Sequence, residues 1–438
     1  MTGHRASYWK TAVVSALLAT GGLAAIAWLA AEIFLLQNSQ PIFLNLAWWA
    51  GGFVLLFGET VIVLVLAGAL IALHRDRMET LGVPYGLGPR EWHGGFVTRG
   101  FRLLLRGLRT LTGRRPGQLD LCAGELVEIR SLDEILTTID DRGELDSLPF
   151  MPEMQAWCGQ QARVFRRVDK VFDWITATGL RRMQDTVILE GLRCEGNDHG
   201  GCQADCALLW KEAWLRRASK KGAPQVTPAV GSAPRLDLRQ FTTRTDAETS
   251  ETRFVCQLSR LPDATTPTSW HNPRNLFREL LSGNVRPGHL FAFVAILLFN
   301  SVQCRVGGTR FPVLTFAHLQ KTPHAVLDLR PGELVRIKSK HEIEHTLNAQ
   351  FKNRGLWFDK EMTRFCGGTY RVRARVDRQI DERTGKMITF TTPCITLEQV
   401  TATGEYFEFA PLDERIYWRE IWLDRLTAKD TQESRSSD

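Results

Sequence analysis

Two stretches of the chain share one pattern, LDLCAGELVEIRSLDEI at Leu119–Ile135 and LDLRPGELVRIKSKHEI at Leu327–Ile343. Each residue of the second stretch lies 208 positions after its counterpart, and no gap is needed. The same offset relates two further pairs of segments, FMPEMQAWCGQQARVFRRVDK (150–170) with FDKEMTRFCGGTYRVRARVDR (358–378) and WKEAWLRR (210–217) with WREIWLDR (418–425). An offset held without a gap over such a length indicates a duplicated domain.

The repeat divides the chain into six segments. We predict a transmembrane helical hairpin, a basic amphipathic interfacial helix, a first repeat domain with a cysteine cluster, a linker with an apolar helical segment, a second repeat domain and a disordered tail. Their bounds are 1–80, 81–116, 117–219, 220–324, 325–427 and 428–438, respectively.

Each repeat reads as a small β-rich domain. ELVEIRS and ELVRIKS alternate with a period of two, as do ARVFRRVDK and YRVRARVDR, which predicts half-buried strands. DTVILEGL and PCITLEQV predict a third strand. A serine followed three residues later by glutamate predicts a capped helix start in both copies, and paired tryptophans predict one face of a short helix near each end. The fold class expected is α+β, and an SH3-like barrel is the architecture we expect for each repeat.

The N-terminal 80 residues predict a membrane anchor. Thr11–Leu36 and Ile42–Leu73 are apolar runs, each longer than the roughly 20 residues that a membrane-spanning helix needs. Arg5 and Lys10 precede the first run, and Arg75 and Arg77 follow the second. Positive charge stays on the cytoplasmic side, so both termini are predicted to be cytoplasmic. Glu59, within the second run, is a candidate functional carboxylate inside the membrane or the neighbour of a partner helix.

A basic helix is predicted after the hairpin. Its arginines are spaced so that they share one helical face opposite leucine and phenylalanine, and they are Arg99, Arg102, Arg106 and Arg109. Such a helix is typical of one that lies on an anionic leaflet, and docking on its own domain is the alternative. Because much of the net charge of +7 is concentrated around the membrane segments, no nucleic-acid partner is expected.

The stretch CEGNDHGGCQADC (194–206) predicts a metal site in the first repeat. The candidate ligands are Cys158, Cys194, Cys202, Cys206 and His199. In a reducing compartment, four thiolates suit a tetrahedral Zn²⁺. An iron–sulfur cluster and free thiols remain alternatives. In the second repeat only Cys158 has a cysteine counterpart, Cys366.

Other features have simpler interpretations. Glu153 and Glu361 recur and are expected to cap a helix or to be solvated, and Arg167 with Asp169 is expected on a solvated strand face. Lys220–Trp270 is expected to be a linker with at most short ordered pieces. The apolar segment Leu290–Phe299 is expected to be a helix buried between the repeats or a second interfacial element.

The motifs quoted above, with GELV, EM, CG, RVxxRVD and WKEAWL in order, resemble a family of uncharacterised bacterial membrane proteins. The hairpin is similar to the anchors of the LapA and HemY families, which work around envelope lipopolysaccharide. The family resemblance implies a domain assignment rather than a function. The charges around the hairpin, the arginine-faced helix and the repeat predict an inner-membrane protein, for which we consider three functions. These are a scaffold or accessory protein with a structural metal and a protein partner at the membrane, a membrane-associated enzyme or redox protein that uses the cysteines, or an adaptor in polysaccharide or lipopolysaccharide assembly.

Overall fold

The computed structural model describes residues 42–85, 119–218, 237–245, 250–269, 272, 274–407, 409–410 and 413–426. The described chain is mixed α+β, mostly sheet with few helices. Its helices are α1 (Ile42–Leu81), α2 (Leu132–Leu136), α3 (Arg239–Thr242), α4 (Leu261–Ala264), α5 (Arg274–Leu281), α6 (Pro287–Arg305) and α7 (Lys340–Glu344).

The strands fall into three groups along the chain. The first group is β1 (Leu126–Ile129), β2 (Glu144–Leu145), β3 (Leu148–Pro149), β4 (Gln161–Arg167), β5 (Lys170–Asp173), β6 (Gly179–Arg182), β7 (Thr186–Arg193), β8 (Ala207–Lys211) and β9 (Leu215–Arg217). The second is β10 (Thr243–Thr245), β11 (Thr252–Phe254) and β12 (Thr266–Pro267). The third is β13 (Leu334–Ile337), β14 (Lys352–Asn353), β15 (Leu356–Trp357), β16 (Thr369–Ile380), β17 (Met387–Thr401), β18 (Arg415–Trp418) and β19 (Leu423–Arg425).

The two repeats contain five-stranded antiparallel sheets of the same topology. The strand order is β8-β7-β4-β1-β9 in the first and β18-β17-β16-β13-β19 in the second. The pairing register is also equivalent, since Val127 lies opposite Ala162 and Arg217, and Val335 lies opposite Tyr370 and Arg425. The offset of 208 residues found in the sequence is therefore also the offset between the strands.

Local signals account for the start of each repeat. The Ser131 hydroxyl accepts a hydrogen bond from the Glu134 N–H, and the Glu134 carboxylate accepts one from the Ser131 N–H. Ser339 and Glu342 form the same capping box. These reciprocal bonds satisfy N–H groups that the first helical turn leaves without partners.

The repeated tryptophans are core residues. Trp210 and Trp214 are fully buried, as are Trp418 and Trp422. The prediction that each pair lies on one helical face was wrong, because Trp210 belongs to β8 and only Trp214 lies in the short 3-10 turn that follows. The Trp214 indole N–H donates to the Thr138 hydroxyl (3.1 Å) and so ties this turn to the end of α2.

The repeats differ in the segment that connects the second and third strands of the five-stranded sheet, in chain order. In the second repeat, β16 and β17 form a long hairpin that extends from Thr369 to Thr401. In the first repeat this region is broken, and β5, β6 and β12 form a separate three-stranded sheet. Since β12 comes from residues after the first repeat, the predicted linker contributes to its fold.

A buried glutamine further joins the linker to the first repeat. The Gln257 side chain accepts from the Leu209 N–H (2.8 Å) and donates to the Leu209 and Pro149 carbonyl oxygens (2.9 and 3.0 Å). Arg260 forms a two-pronged ion pair with Glu144. The described residues 250–269 thus form short elements that pack on the first repeat, and the expectation of a linker with at most short ordered pieces did not include this packing.

Arg167 is not on a solvated face as expected. Its side chain is only 1% exposed and forms ion pairs with Asp169 (3.1 Å) and Glu212. Glu212 also accepts the N–H groups of Asp120 and Leu121 (2.9 and 2.7 Å). Because an unpaired charge is costly to bury, this network explains how an arginine can lie inside the domain.

Helices α1 and α6 form a second compact unit. Val65, Ala69 and Ala72 of α1 pack against Ile296 and Phe299 of α6. The apolar segment 290–299 is therefore part of a 19-residue helix packed on α1, a partner that neither of the two expectations for this segment named. Within the described residues, α6 is the one helix that passes a length and composition test for crossing a membrane.

Several predictions fall on residues outside those described. They concern the first apolar run (11–36), the arginine-faced helix with Arg99, Arg102, Arg106 and Arg109, and the C-terminal tail. The second apolar run lies within α1, whereas the Glu59 side chain is outside the described part. The hairpin and the interfacial helix stay predictions.

Candidate metal centre

The loop from Cys194 to Cys206 connects β7 to β8 and is closed at its base. The Cys194 N–H donates to the Cys206 carbonyl oxygen (2.8 Å). Inside the loop, the N–H groups of His199 and Gly201 donate to the Gly196 carbonyl oxygen (3.2 and 2.9 Å). The loop is therefore a compact turn, and its side chains have fixed positions relative to one another.

Gly196 is required for this turn. Its φ is +70°, a left-handed conformation that favours glycine. A Cβ at this position would lie 1.9 Å from the Cys202 carbonyl oxygen. Both the backbone conformation and the close approach exclude a side chain, so the glycine allows the two ends of the turn to meet.

Three side chains converge beneath the loop. The Cys194 Sγ lies 3.1 Å from His199 Nε2, and His199 Nδ1 lies 3.0 Å from Glu153 Oε1. One ligand atom from each residue lies within 4.8 Å of the others. Only 1% of His199 and 7% of Glu153 is exposed. A thiol, an imidazole and a carboxylate in this arrangement can hold a metal ion.

The Glu153 carboxylate lacks the donors that a buried acid normally has. Among the described residues, no hydrogen bond of good geometry reaches either of its oxygens, and its 3.0 Å contact with His199 Nδ1 is an ion pair only when the imidazole is protonated. Buried groups without well-formed hydrogen bonds cost roughly 1–3 kcal/mol each. A cation held between them would remove that cost.

The second repeat provides an internal comparison. Glu361 is the counterpart of Glu153, and its carboxylate accepts from the Thr403 N–H and hydroxyl (2.9 and 2.8 Å) and the Tyr406 N–H (3.2 Å). Cys194 corresponds to Ala402 in this copy. The same buried acid is thus satisfied by protein donors in one repeat and faces thiol and imidazole in the other.

The thiols around this site influence one another. Burial raises the pKa of the Cys194 thiol well above its usual range, and negative charge on Glu153, Cys202 and Cys256 adds to the shift. The Gly196 N–H lowers it, as a hydrogen bond to a thiolate does. Burial also raises the pKa of Cys256 to about 11. A bound metal ion would lower the pKa of a thiol that coordinates it, since thiolate ligands bind in the deprotonated form.

The group that can hold a metal shares two residues with the predicted set, Cys194 and His199. It adds Glu153 and does not include Cys158, Cys202 or Cys206, although the last two lie in the same loop. The Cys158 thiol faces the Met154 carbonyl oxygen (3.9 Å), and burial raises its pKa to about 11.

Sequence reasoning missed Glu153 as a ligand and Cys256 as a neighbour. Glu153 is buried, which corrects the expectation of a solvated acid, and it lies within a 3-10 turn whose N-cap is Met151. Its recurrence as Glu361 was the available signal.

The loop also lies against the second repeat. The Gln203 side-chain oxygen accepts from the Asp377 and Arg378 N–H groups (2.7 and 3.2 Å), and the Ile380 N–H donates to Cys202 Sγ (3.4 Å). Asp205 pairs with Arg373 and Arg415 (both 2.7 Å). The candidate metal centre is therefore next to the contact between the repeats.

Comparisons of the chain with protein-family models, with curated proteins and with solved structures found no match.

Proposed function

We propose that the protein is a membrane-anchored scaffold or accessory protein whose first repeat binds a structural metal ion through Glu153, Cys194 and His199. The observation that carries the proposal is the buried group of thiol, imidazole and carboxylate, whose counterpart in the second repeat is satisfied without a metal. The metal's role is to fix a loop that also contacts the second repeat.

Zinc fits the donor set best. Zn²⁺ accepts sulfur, nitrogen and oxygen ligands together, and a tetrahedral site needs four. Cys202 is the thiol expected to complete the set, since it lies in the same loop and its Sγ accepts a backbone N–H. An iron–sulfur cluster would instead use several of the thiols that share this region, Cys194, Cys202, Cys206 and Cys256.

The remaining parts of the proposal concern the membrane. The hairpin of 1–80 and the arginine-faced helix would place both repeats at the cytoplasmic face of a bacterial inner membrane, against anionic lipids, with α6 as a second interfacial element that does not cross the membrane. The order β8-β7-β4-β1-β9, with a 3-10 turn before β9, is compatible with an SH3-like barrel in each repeat. Such domains would serve as binding modules for a protein partner.

Metal analysis of the full-length protein in mild detergent tests the metal site. We expect one zinc per chain, no visible absorbance, loss of zinc in Cys194→Ser and His199→Asn, and retention in Cys158→Ser. Loss of zinc in Cys158→Ser alone would favour the ligand set predicted from the sequence. A coloured, oxygen-sensitive preparation would favour the iron–sulfur alternative. Metal-free wild-type protein that is fully folded would contradict the proposal.

Topology is tested separately. A reporter that is active only in the cytoplasm should be active when it is fused to the C-terminus in living cells. A periplasmic C-terminus would contradict the predicted orientation without touching the metal site.

A second function is supported by one observation. Cys194 Sγ is close to His199 Nε2, and His199 Nδ1 is close to Glu153 Oε1. The three residues are therefore arranged as a nucleophile, a base and an acid that orients the base. The burial of His199 and Glu153 argues against it, because a substrate must reach the thiol and its base. Rapid alkylation of Cys194 by iodoacetamide in the metal-loaded protein would favour this enzymatic function over a structural site.

A further inference from the structure

A cavity of about 340 Å³ lies between the two repeats. Residues of the first repeat, including Phe172, Trp174 and Cys206, line it together with residues of the second. Its volume is within the roughly 300–1,000 Å³ that is typical of small-molecule sites. Because each repeat supplies only part of the wall, this site exists only where the two copies meet.

Aromatic side chains form part of the cavity wall. Trp174 comes from the first repeat and Trp357 from the second, and they are 47% and 59% exposed. The rings of Phe172 and Trp174 are in contact, with their centres 4.2 Å apart. The Lys352 ammonium lies 4.4 Å from the centre of the Trp357 ring, a cation–π contact with a cation of this chain, and the exposed remainder of the ring is what a ligand could contact.

The charged side chains of the cavity are mainly acids. Two of the four carboxylates are satisfied within the second repeat, since Asp359 accepts the Glu361 N–H (2.8 Å) and Glu361 binds the loop after β17. The other two are Glu382 and Glu414, both partly buried. The one basic side chain in the wall, Arg415, is paired with Asp205.

Glu382 and Glu414 have no compensating charge within the described part of the chain. Burial raises the pKa of Glu382 to about 7, with Glu414 and Asp381 adding to the shift, and burial raises the pKa of Glu414 with Asp413 adding. No cationic side chain contributes to either shift. Two partly buried carboxylates in a cavity that tryptophans also line are complementary to a positive charge.

We propose that this cavity binds a small organic cation, with its ammonium group at Glu382 and Glu414 and its apolar part against Trp174 and Trp357. The carboxylates supply charge neutralisation and the tryptophans supply cation–π and apolar contact. This proposal does not depend on the metal site, although Cys206 of the metal-site loop forms part of the wall.

Calorimetric titration of the full-length protein in detergent tests the proposal. The probes are phenethylammonium and choline, with phenethyl alcohol as the neutral analogue. We expect both cations to bind and the alcohol to bind at least ten times more weakly. The double variant Glu382→Gln/Glu414→Gln should weaken both cations at least tenfold. The matched control is Glu398→Gln, an exposed acid outside the cavity, which should leave binding unchanged.

The comparison of the two cations with the neutral alcohol on the unaltered protein keeps the test independent of variant folding. The proposal is overturned if neither cation binds at millimolar concentration, or if the alcohol binds as well as phenethylammonium.

Discussion

The backbone N–H of Ile380 donates to the Sγ of Cys202 at 3.4 Å, so a thiol of the first repeat is bound to a strand of the second. The neighbouring Gln203 binds the same strand through its backbone as well as its side chain, since its N–H donates to the Arg378 carbonyl oxygen (3.2 Å). These bonds couple the order of the cysteine loop to the order of β16. The proposed metal therefore has consequences beyond its own repeat.

Removing the metal should loosen β16 where the loop contacts it. We expect chelation to speed amide exchange at residues 377–380, because the loop that accepts or covers these groups is no longer fixed. Residues 370–372 of the same strand are the control, since the Val372 N–H donates to Glu333 within the second repeat (2.8 Å). Unchanged exchange at 377–380 in verified metal-free protein would show that the metal does not support this contact.

Substitution of Gly196 should be far more harmful than substitution of Gly191. Both glycines have a positive φ, of +70° and +78°, so either alanine costs roughly 1–2 kcal/mol of backbone strain. Only at Gly196 would the Cβ also meet a backbone oxygen, whereas at Gly191 it enters open space. We expect Gly196→Ala to lose zinc and Gly191→Ala to retain it. Equal zinc content in the two variants would argue against the tight turn as a requirement.

Glu153 and Glu361 should respond oppositely to removal of charge. Glu361→Gln weakens charge-assisted bonds from Thr403 and Tyr406, so we expect the free energy of unfolding to fall by about 1–3 kcal/mol with zinc content unchanged. Glu153→Gln removes a ligand, so zinc affinity should fall at least tenfold. In metal-free protein it should cost less stability than Glu361→Gln, because the Glu153 oxygens accept no well-formed hydrogen bond from the described residues and have only the His199 contact to lose. Thermal unfolding with and without chelator measures both effects, and a large metal-independent loss in Glu153→Gln would contradict the ligand role.

Gln257 should matter to the first repeat although it lies outside the repeated sequence. Gln257→Ala leaves the Leu209 N–H and two carbonyl oxygens without partners, and we expect a loss of about 2–4 kcal/mol. Gln240, an exposed residue of the same connecting region, is the matched control, and Gln240→Ala should change stability by less than about 0.5 kcal/mol. Similar unfolding midpoints for the two variants would show that the segment is not part of the domain.

The fold was predictable where the signal was local. Alternation around Val127 and Val335 and the serine–glutamate pairs at Ser131 and Ser339 each specify a strand or a helix start from a few adjacent residues. Because the domain is duplicated, each of these local signals occurs twice in the sequence. Features made by distant residues were missed, because nothing near Gln257 or Cys256 in the sequence indicates which surface they cover.

The candidate site was predictable only in part for the same reason. Cys194 and His199 share one turn, so their spacing was informative. Glu153 comes from a separate 3-10 turn, and its burial depends on how β4 and β7 pair. The docking of Asp205 on Arg373 and Arg415 likewise depends on the contact between the repeats, since a polar loop can equally be solvated.

The close approach of Gly68 and Ala295, where a Cβ on the glycine would lie 2.1 Å from the Ala295 carbonyl oxygen, joins parts of the chain that are far apart in sequence. Because α1 and α6 pack together, both ends of the first repeat connect to the same helix pair. The second repeat is connected to that pair at one end only. A single proteolytic cut between residues 219 and 236 would therefore leave every fragment attached to the helix pair. A cut between residues 315 and 325 would leave the second repeat attached only by its contacts with the first. The contacts of the cysteine loop would then determine whether the second repeat remains bound.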